Sequence, residues 1–137
     1  MTVDFVPIKV TACDESKVRK ASSSKARYVL PFSLSANPPN DWEDIFDDVW
    51  RSHRKRSSIP KAQAYVRKGE IVMECELGDV KNCFPNLRVS IEATNEEYLE
   101  QLKLKAQKNE KKRRKLEEEK LAERRAIKEA LDGLDFS

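Results

Sequence analysis

The chain has 137 residues, 39% of them apolar and 37% charged, with a net charge of +3 and a pI near 8.7. That length fits one domain, or one domain with an appendage, and a charge excess this mild does not by itself call for nucleic acid. Cys13, Cys75 and Cys83 are widely spaced with no CxxC pair, which argues against a disulfide framework or a zinc site. No apolar run is long enough to span a membrane, and the N-terminus lacks the basic-then-apolar pattern of a secretion signal, so a cytoplasmic setting is expected.

In chain order, residues 4–12 alternate, with Val6, Ile8, Val10 and Ala12 on one side, and predict a half-buried strand. Pro7 would place it at a sheet edge. Residues 13–26 have no apolar face, and five cations (Lys17, Arg19, Lys20, Lys25, Arg27) occur from residue 17 to 27 with no acid. A basic loop is expected there. Residues 27–34 predict a second strand, with Tyr28, Leu30, Phe32 and Leu34 on one face. Pro31 again suggests an edge or a bulge.

Residues 40–53 carry the strongest signal. Trp42, Ile45, Phe46, Val49, Trp50 and His53 fall on one face of a helix. Asn40 and Glu43 have the spacing of a capping box, and Pro38 and Pro39 keep the preceding chain out of helix. The connector that follows is basic, with seven Lys or Arg and no acid from residue 51 to 68. Residues 62–67 and 71–77 predict a hairpin, turning at Lys68 and Gly69 or at Gly69 and Glu70.

Residues 78–86 contain turn formers and predict a loop. Leu87, Val89, Ile91 and Ala93 alternate with polar residues and predict a last strand, after which Thr94 would cap a new helix with Glu97 as box partner. From residue 95 to 132 there is neither proline nor glycine. Tyr98, Leu99, Leu102 and Ala106 could dock this helix on the sheet, but residues 107–120 hold one aliphatic side chain, Leu116. Glu110 with Arg114, Arg113 with Glu117, Arg114 with Glu118 and Lys115 with Glu119 stand one turn apart and can sustain the helix by ion pairing.

The expected fold class is α+β: a small, mostly antiparallel sheet in the order β-β-α-β-β-β-α. The central amphipathic helix packs on one face, and a long charged helix projects at the C-terminus. Residues 1–106 would form the compact domain, including the docked start of the last helix, and residues 107–137 a helical arm.

Candidate chemistry is sparse. No glycine-built phosphate loop, nucleophile elbow or HExxH motif occurs, and no cofactor or metal is expected. His53 is the single histidine, and Cys83 is the most tempting nucleophile because it falls in the expected loop. A small enzyme built on these two ranks third among the readings. The acids Asp41, Glu43, Asp44, Asp47 and Asp48 read as a solvated helix start.

The first reading is a non-enzymatic interaction module that presents the C-terminal helix to another protein, with Leu121, Ile127, Leu131, Leu134 and Phe136 as the contact. The heptad spacing along that helix is interrupted by polar residues, which leaves a homodimer as a weaker variant of the same idea. The second reading is a nucleic-acid-binding accessory protein. It would hold phosphates with Arg54, Lys55, Arg56 and Lys61 and with Lys111, Lys112, Arg113, Arg114 and Lys115, the connector and the 17–27 loop joining in one patch.

Overall fold

The computed structural model describes residues 4–22, 26–56 and 62–135. The elements are β1 (Val10–Cys13), β2 (Arg19–Lys20), β3 (Arg27–Leu34), α1 (Asn40–Arg56), β4 (Gln63–Arg67), β5 (Glu70–Glu76) and α2 (Val80–Asp132). Short 3-10 turns lie at Glu15–Lys17 and Leu77–Asp79. The class is α+β, a small antiparallel sheet with two helices, the second of them long. The chain divides into two compact units, Asp4–Glu100 and one that takes in Gln101–Ser137.

The sheet has five strands in the order β1-β3-β5-β4, with β2 also paired to β3. All pairings are antiparallel. Strand periodicity then sorts the side chains into two faces. Leu30 stands opposite Met73, and Met73 opposite Ala64; Phe32, Ile71 and Val66 form the next row. These inner rows meet Trp42, Phe46 and Trp50 of α1 and Cys83, Leu87 and Ile91 of α2 in one core. Trp42 and Phe46 are fully buried and stack with centroids 5.7 Å apart, and Trp50 continues the stack. Burial of three large aromatics contributes on the order of 10–15 kcal/mol before conformational entropy is counted.

The helix over residues 40–53 and the hairpin form as expected. The hairpin turn places Lys68 at φ 44° and Gly69 at φ 77°, the left-handed pair of a type I′ turn, whose twist matches that of the strands it joins. The start of α1 differs. The amide of Glu43 donates to the carbonyl of Pro39 at 3.1 Å, so Pro39 holds the cap position and Asn40 is already in the first turn.

Several further expectations are corrected. The first strand is only Val10–Cys13, because the segment before it is held by side chains: the Ile8 amide donates to Asn95 Oδ1 and the Lys9 amide to Ser35 Oγ, with Val6 83% exposed and Ile8 buried. Within the basic segment 13–26, residues 19–20 pair with Tyr28 and Val29. Pro31 lies in the middle of the sheet and not at an edge. It faces Val72 of β5 on one flank, and on the other it falls between the β2 pairing (Tyr28, Val29) and the β1 pairing (Phe32 to Leu34), where no strand asks for a donor.

The largest correction is the expected loop 78–86 and strand 87–93: Gly78 and Asp79 end the 3-10 turn, and residues 80–93 belong to α2. Leu87 and Ile91, four apart, are buried together, whereas Val89 is 52% exposed. Alternation was therefore misleading, and the helical stripe is Cys83, Leu87, Ser90, Ile91, Thr94 and Asn95. Thr94 does not cap a helix. Its hydroxyl donates to the carbonyl of Ser90 one turn back, at 2.6 Å.

Candidate interaction surfaces

Every residue from 111 to 135 is exposed. Leu116, Leu121, Ile127, Leu131 and Leu134 each leave 52–55% of their surface to solvent. At about 100° per residue, Leu116, Ile127 and Leu131 fall within about 60° of one another, and Leu121 stands about 140° from Leu116; Leu134 follows the end of α2 at Asp132. Of the expected contact residues, two (Ile127 and Leu131) therefore share a helical stripe with Leu116, and Phe136 lies outside the described residues.

The helix supports this unburied length with charge. Glu110 accepts from Arg113 at 2.7 Å and from Arg114 at 3.2 Å, and Arg113 also reaches Glu117 at 2.6 Å. The hydrogen bonds from Arg113 hold the Glu110 carboxyl below its ordinary range. Arg113 and Arg114 thus spend their charge along their own helix. Lys111, Lys112 and Lys115 are exposed and enter no ion pair among the described residues.

The other phosphate-binding candidates are dispersed. Arg54, Lys55 and Arg56 end α1, with their side chains outside the described residues, and Lys61 is outside them altogether. The two basic runs do meet, at their opposite ends. Lys17 and Arg19 line one concavity of about 350 Å³ together with Arg67 and Lys68, over Val29 and Val72 on the outer face of the sheet.

The chemistry-bearing side chains are placed inside. Cys83 is fully buried on α2 and does not occupy a loop, and Cys75 beside it is 3% exposed. Burial, followed by the neighbouring Cys83, pushes the Cys75 thiol up to about 12, and burial also raises Cys83. A buried, protonated thiol is a poor nucleophile. His53 turns its Nδ1 to the hydroxyl of Ser90 at 2.8 Å, tying α1 to α2, and Ser90 has no exposed surface. Among the described residues no three His, Cys, Asp or Glu side chains come together as a metal site. In the acidic helix start, Asp47 is raised by burial and then by Asp44.

One residue went unnoticed in the sequence. Asn95 joins three segments: its Oδ1 accepts from the Ile8 amide at 3.1 Å and from the Trp42 indole at 2.9 Å, and its Nδ2 donates to the Ile8 carbonyl at 2.8 Å. It closes one end of a groove of about 500 Å³ between the N-terminal segment and α2, lined by Phe84, Arg88 and Glu92 among others. An asparagine in the midst of a polar run gives no sequence signal; only the helical register with Leu87 and Ile91 could have marked it.

No family model, no curated protein and no solved structure matches this chain. No helix among the described residues is long and apolar enough to cross a membrane.

Proposed function

We propose that the protein is a non-enzymatic interaction module of the cytoplasm that offers the distal part of α2 to a helix of another protein. The observation that supports this reading is the stripe of Leu116, Ile127 and Leu131, half-exposed on one side of a helix whose residues 111–132 are all exposed, with half-exposed Leu134 just past its end. Such a stripe, flanked by alternating charge, matches the helix-in-groove and coiled-coil modes of recognition. Three free thiols suit a reducing compartment.

The test is co-purification from the native host with the full chain and with an Ile127→Lys, Leu134→Lys variant. The variant is expected to lose its partner while keeping the aromatic circular dichroism of the folded Trp residues. An unchanged partner would remove the stripe as the contact. Light scattering on the purified chain separates a homodimer, which the same variant should dissociate. The competing reading, phosphate contact by stretches 51–68 and 111–115, rests on the exposed Lys111, Lys112 and Lys115. It requires binding that weakens steeply with salt, where apolar docking hardly responds.

A further inference from the structure

We propose that the outer face of the sheet, opposite the one that packs on α1 and the start of α2, binds single-stranded nucleic acid, with phosphates held by Lys17, Arg19, Arg67 and Lys68 and a base stacked on Tyr65. The inference does not rest on the helical contact proposed above; it concerns the sheet of the unit Asp4–Glu100.

The register builds this surface. Tyr65, Val72 and Pro31 stand opposite one another across β4, β5 and β3, and Gln63, Glu74, Val29 and Arg19 form the adjoining row. Ala21, Val29 and Val72 pack into a small buried cluster of their own, which gives the face a firm apolar floor. Two concavities lie side by side on it, of about 350 and 760 Å³, and Arg19 and Val29 belong to the walls of both.

The smaller one gathers Lys17, Arg19, Arg67 and Lys68 around a single carboxylate, Glu70. All four cations are exposed, and none enters an ion pair among the described residues. Their positions are set by the type I′ turn at Lys68 and Gly69 and by the 3-10 turn at Glu15–Lys17. Like charges lining one concavity repel, and an anion with several oxygens relieves the repulsion.

The larger concavity adds the features that select a nucleic acid over another polyanion. Tyr65, 38% exposed, shares its wall with Lys20 and Arg27. Two acids line it as well: Glu74 is engaged, since Arg27 donates to its carbonyl at 2.9 Å and lies 3.7 Å from its carboxylate, and exposed Glu76 stands at the end of β5, leaving Arg19, Lys20 and Arg27 against two carboxylates. An aromatic on an open sheet beside a cationic track suits unpaired bases, whose faces are free to stack; a duplex hides them.

The test is fluorescence anisotropy of the full chain with labelled oligouridylate and oligodeoxythymidylate of about 12 nucleotides. Four phosphate contacts predict a log–log salt slope near −3, or roughly fiftyfold weaker binding between about 50 and about 200 mM salt. Arg19→Glu with Arg67→Glu should weaken binding at least tenfold. Tyr65→Ala should weaken it roughly 5- to 150-fold, the stacking range, and Tyr65→Phe should retain it. Lys111→Glu with Lys112→Glu, and the Ile127→Lys, Leu134→Lys variant, should leave it unchanged. A preference for either strand supports the proposal and tells RNA from DNA.

The proposal fails if neither oligonucleotide binds at low salt, or if the sheet variants bind like the parent. It also fails if polyglutamate or phosphatidylserine vesicles bind as tightly and Tyr65→Ala makes no difference. All substituted positions are exposed, so circular dichroism should show each variant folded.

Discussion

Trp42 and Leu131 are large apolar side chains on helices, and they have opposite fates. Trp42 is wholly buried, stacked on Phe46, with its indole N–H donated to Asn95. Leu131 keeps half its surface in solvent. The unit Asp4–Glu100 is held by burial and by a few partnered buried polar atoms, Asn95 foremost. From Gln101 onward the helix is held by intrinsic propensity and by acids and bases one turn apart. The difference teaches that a helix can be fully specified without a core, and that the apolar residues it then leaves outside are available for a partner.

That contrast can be broken most severely at Asn95. Asn95→Leu removes the partners of the Ile8 amide, the Ile8 carbonyl and the Trp42 indole together, and should cost about 3–4 kcal/mol in urea denaturation. The loss should appear in the aromatic signal of the compact unit, with the helical signal of the distal segment retained at concentrations where the unit unfolds.

Alkali attacks the same unit. The folded-state pKa of Cys75 is raised from 9.0 to about 12, so its contribution to stability is full below pH 9 and is lost as the pH rises toward 12. The urea midpoint should fall over that range, and less steeply in Cys75→Ala. A parallel fall in the variant would remove Cys75 from the account.

Smaller effects are expected at the turn. Gly69 sits at φ 77°, and a β-carbon there would meet only Asn37 Oδ1 at an ordinary 3.9 Å. The cost of Gly69→Ala is therefore that of the backbone conformation, about 1–2 kcal/mol, read as a shift in melting temperature.

The distal helix should respond least to any single change, and to acid rather than alkali. Glu110 has a lowered folded-state pKa, so its support is present above pH 4.5 and lost as the pH falls through the folded value. Far-UV circular dichroism should show helix lost below pH 4.5, less of it in Glu110→Gln. Molar salt should have the same direction of effect. Helix content that ignores both acid and salt would mean that the ion pairs do not sustain it.

The parts legible in the sequence were those with short-range causes. The aromatic face of α1, the turn at Lys68 and Gly69, and the pairs Glu110 with Arg114 and Arg113 with Glu117 all depend on neighbours within one or two turns. The start of α2 was not legible. Ser90, Thr94 and Asn95 occupy core-facing positions, and their polarity hid the helical stripe behind the alternation of Leu87, Val89 and Ile91. The basic runs were visible as runs, but which members meet was not: Arg67 comes to Arg19 because β2 joins β3 while β4 joins β5.

By itself the chain's order of residues determined an aromatic-faced helix, a hairpin and a charge-braced C-terminal helix, because each is stabilised by groups close in sequence. Only the tertiary structure decided that residues 87–93 are helical, that Pro31 can sit in mid-sheet, and that Asn95 is a keystone. Those outcomes depend on partners supplied from far along the chain. Asn95 lies 53 residues from Trp42 and 87 from Ile8, and no local propensity carries that distance.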